Sequence, residues 1–131
     1  MIGPTGVTAI EVKTRRKKKG REGYEEHVVT YDGQRLVWPW GQDRCGIDQL
    51  QSEADWLRKF IHSRTGLHVI PKPILALPGW YVTERVVGGF RVGNHKLIAT
   101  IVRDWNPQPL TPEQIDLISR QLDERCRDVE D

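Results

Sequence analysis

Cysteine, methionine and long apolar runs are scarce in this sequence of 131 residues. Its two cysteines, Cys45 and Cys126, match no metal-binding or redox spacing, and its four histidines form no zinc motif. This pattern fits reduced thiols in a cytoplasmic protein. Even the apolar segment Val69–Leu77 is interrupted by two prolines and a lysine, so no stretch approaches the ~18 residues of a membrane span. The first eight residues lack the basic and apolar blocks of a secretory signal.

Neither sign of charge is in large excess, because 20 basic and 18 acidic residues leave a net charge of +2. The hydrophobic fraction of 37% suits a folded domain, and no repeat or linker divides the chain, so we expect a single domain over residues 1–131. The cations are unevenly placed. A run of six within seven positions is either a solvated loop or a surface that contacts phosphates. It comprises Arg15, Arg16, Lys17, Lys18, Lys19 and Arg21.

The first half of the chain predicts strands followed by a helix. Residues alternate between two faces over Val7–Lys13, which is typical of a strand. Asp32-Gly33 lies between Val28–Tyr31 and Arg35–Trp38 and predicts a hairpin with a two-residue turn. From Gly46 to Arg64 the apolar residues recur every three or four positions, so we expect an amphipathic helix that ends at Gly66.

The second half predicts a strand, two short strands and two helices. Val69–Leu77 is interpreted as a buried or edge strand, and Trp80–Val82 and Phe90–Val92 as short strands around Gly88-Gly89. A helix is expected over Leu97–Trp105 after a cap at Asn94. The last helix, over residues 111–128, begins with a capping box formed by Thr111 and Gln114. Its inward-facing residues are expected to be Ile115, Ile118, Leu122 and Cys126. This order of elements predicts an α/β fold.

Glu11 and Lys13 are the first candidates for chemistry. Residues two apart on a strand point to the same face, so a carboxylate and an ammonium lie side by side. A carboxylate can bind Mg²⁺, and a lysine can position or deprotonate the water that attacks a phosphate. The same pair also occurs in many proteins as a surface ion pair. The motif alone therefore fits both a metal-dependent catalytic site and a surface ion pair.

A longer set of motifs surrounds this pair in a specific order. It starts with Ile2-Gly3-Pro4-Thr5-Gly6-Val7 and Ala9-Ile10-Glu11-Val12-Lys13-Thr14, then the Asp32-Gly33 hairpin and Trp38-Pro39-Trp40. It continues with Ile47-Asp48-Gln49, Glu53-Ala54-Asp55-Trp56-Leu57 and Leu77-Pro78-Gly79-Trp80. In these motifs, over about residues 2 to 106, the sequence resembles the nuclease-related domain (NERD) family. That family belongs to the PD-(D/E)xK restriction-endonuclease-like superfamily.

The resemblance implies a three-layer core in which a mixed β-sheet is flanked by helices. It also implies that Glu11 is a metal ligand, Lys13 the catalytic lysine and Gln49 a residue that orients water or phosphate, with Mg²⁺ or Mn²⁺ as cofactor. Gln49 could instead be a surface or capping residue. Gln49, Glu53 and Trp56 share one flank of the helix, where Glu53 is interpreted as a surface residue although it could replace a missing ligand.

The sequence also departs from the family pattern. Relatives carry an aspartate ahead of the Ile-Gly-Pro-Thr-Gly segment as first metal ligand, and this chain begins at Met1, after that position. The expected core therefore lacks its N-terminal helix and first strand or strands, and Mg²⁺ would be held weakly. Three explanations of the missing aspartate are open. The chain could be a fragment or have a misassigned start, it could be a homologue that binds without cutting, or a second chain could supply the missing parts.

Two function classes follow from these observations. The first is a Mg²⁺-dependent DNA phosphodiesterase, and the second is an inactive nucleic-acid-binding module with the same fold and basic loop. DNA or another nucleic acid is the expected partner in both, because the basic run starts two residues after Lys13, and the tryptophans at 38, 40, 56, 80 and 105 could stack on bases. A protein-interaction domain is a third, weaker reading. An uncovered strand edge at Val7–Lys13 predicts a homodimer.

Overall fold

The computed structural model describes residues 1–16 and 27–130, without the side chains of residues 128–130. The strands are β1 (Ile2–Gly3), β2 (Gly6–Val12), β3 (Val28–Tyr31), β4 (Leu36–Trp38), β5 (Gly41–Asp43), β6 (Lys72–Ala76), β7 (Tyr81–Glu84) and β8 (Arg91–Gly93). The helices are α1 (Cys45–Thr65), α2 (Ile98–Asp104) and α3 (Pro112–Glu130), and a 3-10 turn at His95–Leu97 precedes α2.

The described strands form two four-stranded sheets rather than the single mixed sheet that was predicted. The first has the order β1-β2-β6-β8 and the second the order β5-β4-β3-β7. Each sheet contains parallel and antiparallel neighbours. In the first, β2, β6 and β8 run parallel and β1 is antiparallel to β2. In the second, β7 is parallel to β3, β4 is antiparallel to β3, and β5 is antiparallel to β4. The predicted α/β class is confirmed, and the finer restriction-endonuclease-like core stays a prediction.

Helices cover both faces of the first sheet. On β6, Leu75 packs into a core with Ile47 and Leu50 of α1. The adjacent Ile74 points to the other face and packs with Ile101 of α2 and with Trp105. This alternation follows from the pleat of the strand, because successive side chains point to opposite faces. The central strands therefore lie between α1 and α2.

Local sequence signals fixed the helix ends. Gly66 ends α1 in the left-handed conformation, with φ of 75°, as the glycine predicted. At the start of α3, the Gln114 amide nitrogen of the backbone donates to Thr111 Oγ1 (3.1 Å), and the Thr111 N–H donates to Gln114 Oε1 (2.9 Å). Asn94 Oδ1 accepts from the backbone N–H of Lys96, so the predicted cap before α2 is also confirmed.

Two details of the sequence interpretation are wrong. In the hairpin, the Asp32 N–H donates to the Arg35 carbonyl, so the turn is centred on Gly33-Gln34, and the φ of +98° at Gly33 favours glycine there. Cys126 is exposed because it lies beyond the part of α3 that packs on the core. The two short strands predicted on either side of Gly88-Gly89 are present as β7 and β8, and they belong to different sheets, because β7 pairs with β3 and β8 pairs with β6.

A charged pair connects these two strands across the sheets. The Glu84 carboxylate accepts from Arg91 Nε and Nη2 at 2.9–3.2 Å and from the backbone N–H of Val92 at 3.1 Å. The side chain therefore satisfies a backbone donor that a neighbouring strand would otherwise satisfy. Among the described helices, none has the length and apolar composition needed to span a membrane.

Lys72 is a buried cation at the start of β6. Its Nζ donates to the carbonyls of Val102 (2.9 Å), Trp105 (3.0 Å) and Thr5 (3.4 Å), which ties the end of α2 to the turn before β2. Burial lowers the pKa of Lys72 below its ordinary value. A cation suits this position because carbonyls at a helix C-terminus carry partial negative charge.

We expect Lys72→Met to lower the free energy of unfolding by about 1–3 kcal/mol, because buried carbonyls lose their donor while the apolar volume is kept. Lys59→Met is the control, since the Lys59 side chain is exposed and its ion pair with Asp55 lies on the surface; its expected effect is within about 0.5 kcal/mol. Urea unfolding measures both. Equal effects would show that the hydrogen bonds of Lys72 contribute nothing to stability.

Candidate active site

The predicted site residues come from one strand and one helix. β2 carries Glu11, and the strand geometry continues one residue past Val12, because the Lys13 N–H donates to the Ala76 carbonyl at 3.0 Å. Glu11 and Lys13 therefore point to the same face, as expected. That face is the one covered by α1, whose first turns carry Gln49.

The structure brings Glu11, Lys13 and Gln49 together. Lys13 Nζ donates to Gln49 Oε1 at 2.9 Å and lies 3.6 Å from Glu11 Oε1. The Lys13 and Glu11 side chains are 29% and 23% exposed, so a ligand in solvent can reach both groups. The juxtaposition agrees with the sequence prediction, and the catalytic roles remain a prediction.

Glu53 is exposed, as the sequence predicted for a surface residue, and it also adjoins this cluster. Gln49 Nε2 donates to Glu53 Oε1 at 3.4 Å. Partial burial raises the pKa of Glu53 above its ordinary value, and the nearby Glu11 carboxylate raises it further, whereas Gln49 and Lys13 oppose the shift. The signal in the sequence was the four-residue spacing from Gln49, which places both side chains on one flank of α1.

The carboxylates suit a hard cation. Mg²⁺ is usually bound through one or two carboxylates, with water and substrate as the other ligands. Glu11 and Glu53 supply two. Desolvation is the main cause of the raised pKa of Glu53, and the Glu11 carboxylate adds a repulsion of the kind that a bound cation relieves. Within residues 1–16 and 27–130 no group of three or more His, Cys, Asp or Glu side chains is arranged to hold a metal ion.

The basic run is only partly described. Arg15 and Arg16 are exposed, and the Arg15 guanidinium lies 5.9 Å from the centre of the Trp38 ring. Lys17, Lys18, Lys19 and Arg21 fall outside the described residues. Arg15 is two residues beyond Lys13, so the described part of the run begins beside the site.

The tryptophans are mostly core residues. Trp38 and Trp80 are each 1% exposed and meet edge to face at 4.9 Å, and Trp40 stacks on Trp38 at 5.4 Å. Trp105 is also buried. Trp56 differs, because it is 48% exposed and lies on the same flank of α1 as Glu53, stacked on Phe60. Trp56 is therefore the tryptophan best placed to meet a ligand in this part of the structure.

A groove lies beside the cluster. It has a volume of about 540 Å³ and runs between β2, at Thr8–Ile10, and the flank of α1 that carries Ser52, Glu53 and Trp56. Glu53 lines this groove and also contacts the Glu11, Lys13 and Gln49 group. The groove is therefore continuous with the candidate site.

Fold and site together define a small α/β protein with mixed sheets and a carboxylate, lysine and glutamine cluster between a strand and a helix. No protein-family model, curated protein or solved structure matches the chain.

We expect Glu53→Gln to be more stable than the parent protein at pH 7. The folded protein holds the Glu53 proton to higher pH than the unfolded chain, so stability falls as pH rises from the ordinary pKa through the raised one. The pH-dependent part of the difference in unfolding free energy between variant and parent should disappear well below the ordinary pKa of Glu53, where folded and unfolded states are both protonated. Urea titrations across pH measure this difference.

Glu11→Gln serves as the second variant in that series. Because the Glu11 carboxylate contributes to the raised pKa of Glu53, its loss should reduce the pH dependence of stability in the same window. A Glu53→Gln variant that is less stable than the parent at pH 7 would contradict this account of the cluster.

Proposed function

We propose that this protein is a nuclease-related domain that hydrolyses phosphodiester bonds of DNA with Mg²⁺ or Mn²⁺. The observation that carries the proposal is the contact of Lys13 Nζ with Gln49 Oε1 and with Glu11. Lys13 and Gln49 are 36 positions apart in sequence. The sequence resemblance assigned roles to these same three residues, and the fold supports that assignment by bringing them together.

Each residue has a distinct role in the proposed mechanism. Glu11 and Glu53 would hold the cation, which polarises the phosphate and stabilises charge in the transition state. Lys13 positions the attacking water at Nζ, or takes its proton, and offsets the negative charge that develops on the phosphate. Gln49 holds Lys13 through Oε1 and Glu53 through Nε2, so it fixes the spacing between the ammonium and the carboxylate.

Features of the fold also support the proposal. The parallel pair β2 and β6 has α1 on one face and α2 on the other, which agrees with the helix, sheet, helix order implied by the resemblance. The second carboxylate that the sequence pattern lacked is available from α1, because Glu53 adjoins Glu11. A cytoplasmic location and the remaining family features stay predictions.

The basic run indicates that the substrate of the proposed site is a polyanion such as DNA. A cluster of cations raises the local concentration of a polyanion and contributes a salt-dependent part of its affinity. Arg15 and Arg16 are exposed close to Lys13, so bound DNA would lie across the end of β2. We infer that the run contacts the phosphates flanking the scissile bond.

A nucleic-acid-binding module without cleavage is the second candidate function. It is favoured by the absence of any cluster of three or more potential metal ligands from the part of the chain that the structure describes. In that case the fold and the basic run would be used for binding alone.

The direct test is nicking of supercoiled plasmid with Mg²⁺ or Mn²⁺, with an EDTA control. We expect Lys13→Ala to lower the nicking rate by about 100-fold or more, the usual range for loss of a proton-transferring side chain. Lys59→Ala is the matched control, because Lys59 lies on the exposed face of α1, and it should nick at the parent rate.

Each outcome of the nicking assay has a clear meaning. Equal nicking by Lys13→Ala and the parent would exclude the proposed role of Lys13. DNA binding by both proteins, with nicking by neither, would exclude the nuclease and favour the binding module.

The basic run is tested separately by salt dependence. Replacing Arg15, Arg16, Lys17, Lys18 and Lys19 with glutamine should weaken DNA binding and flatten the plot of log affinity against log salt concentration. Each lost phosphate contact removes about 0.7–0.9 from the slope. Fluorescence anisotropy over a salt series measures it, and an unchanged slope would show that the run does not contact DNA.

A further inference from the structure

The outer edge of β2 has a stretch that no described strand covers. On this side β1 pairs with Gly6 and Val7. Met1 and Thr8 then exchange two hydrogen bonds. The Thr8 N–H donates to the Met1 carbonyl (2.8 Å), and the Met1 amino group donates to the Thr8 carbonyl (2.7 Å). Beyond Thr8, none of the strands within residues 1–16 and 27–130 pairs with this edge.

The direction of the backbone groups on this edge follows from the bonds already described. The N–H of Lys13 points inward, because it donates to Ala76 of β6, whereas the N–H and C=O of Thr8 point outward to Met1. Backbone groups of alternate residues in a strand share a direction. Ile10 and Val12 therefore direct their N–H and C=O groups outward, in a row that an extended backbone would satisfy.

We propose that a second copy of this chain occupies this edge, with the two β2 strands antiparallel about a two-fold axis centred on Val12. Each Val12 then lies opposite Val12 of the second copy, and Ile10 lies opposite Thr14 of the second copy. Ile10 and Val12 direct their backbone groups outward, so the two Val12 residues can form the paired hydrogen bonds of an antiparallel ladder.

Charge selects this register. The register centred on Val12 places Glu11 directly opposite Lys13 of the second copy, and Lys13 opposite Glu11 of the second copy. Both pairs lie on the same face of the joined sheet. Centring on Glu11 or on Lys13 places like charges opposite each other, which is destabilising. Centring on Ile10 requires the outward groups of Thr8, which already bind Met1.

The groove beside the edge supplies apolar surface to the same contact. Ala9, Trp56 and Leu57 line it, and Trp56 is 48% exposed. Opposite residues of an antiparallel pair share a face, so α1 of each copy lies on the same face of the joined sheet. The exposed flank of each α1, with Trp56, would then face the second copy across the axis.

This pairing joins the two candidate sites. Glu11 would lie between its own Lys13 and Lys13 of the second copy, so both clusters form one continuous charged surface. The inference rests on backbone direction and charge and does not depend on the proposed nuclease activity, because every test below reads the oligomeric state without metal or DNA.

The first test is light scattering over a concentration series. We expect a dimer at tens of micromolar, and Val12→Pro should raise its dissociation constant about tenfold or more, because two backbone hydrogen bonds across the axis are lost. Proline suits this position because the Val12 N–H points away from β6, and an unchanged circular dichroism spectrum confirms folding. A monomeric parent protein would overturn the proposal.

Charge reversal tests the register. Glu11→Lys and Lys13→Glu should each weaken the dimer, because each places like charges opposite, and the double variant should restore it. Single variants that dimerise as tightly as the parent would overturn the register centred on Val12.

Disulfide trapping tests the position of the axis in a Cys45→Ser, Cys126→Ser background. Opposite Cα atoms in a hydrogen-bonded pair lie about 5.5 Å apart, within disulfide range, so Val12→Cys should cross-link the dimer. Val86→Cys is the matched control, because Val86 is 49% exposed and Val12 is 57% exposed. Val86 lies beside Gly33, near the second sheet and away from the edge of β2. Equal cross-linking of the two variants would indicate random collision and overturn the proposal.

Discussion

The parallel pairing of β2 with β6 is the interaction on which the rest of the structure depends. Five consecutive residue pairs, from Thr8 with Lys72 to Val12 with Ala76, fix the register of the two strands. A shift by one residue would turn every side chain to the opposite face. Ile74 would then leave the α2 side and Leu75 the α1 side, and Glu11 would point away from Gln49. The same ladder therefore sets the core and the position of the candidate site.

Much of the fold could be predicted because its signals are local. The alternation over Val7–Lys13, the apolar spacing of α1 and the capping box at Thr111 and Gln114 each act within a few residues, and the structure has all three. Which strands become neighbours depends instead on contacts between distant segments. The sequence predicted the short strands on either side of Gly88-Gly89 but not their partners. In the structure β7 pairs with β3 and β8 pairs with β6, and Glu84 and Arg91 join the two sheets.

In the candidate site, too, local geometry could be predicted from the sequence and contacts between distant segments could not. Glu11 and Lys13 share a face because of strand geometry alone, and the sequence predicts this directly. The contact of Lys13 with Gln49 requires α1 to cross β2 at one position, which the resemblance implied and periodicity could not give. Glu53 was interpreted as a surface residue, since an exposed helical glutamate usually is one. Only the approach of α1 to β2 reveals that Glu11 raises the pKa of Glu53.

The central claim is that this strand and helix form a metal-dependent site, and metal binding tests it most directly. Titration of Mn²⁺ into the DNA-free protein, followed by electron paramagnetic resonance of the free ion, measures stoichiometry and affinity. The account predicts one ion per chain, bound weakly, with affinity lost in Glu11→Gln and reduced in Glu53→Gln. Binding that is unchanged in Glu11→Gln, or no binding by the parent protein, would contradict it.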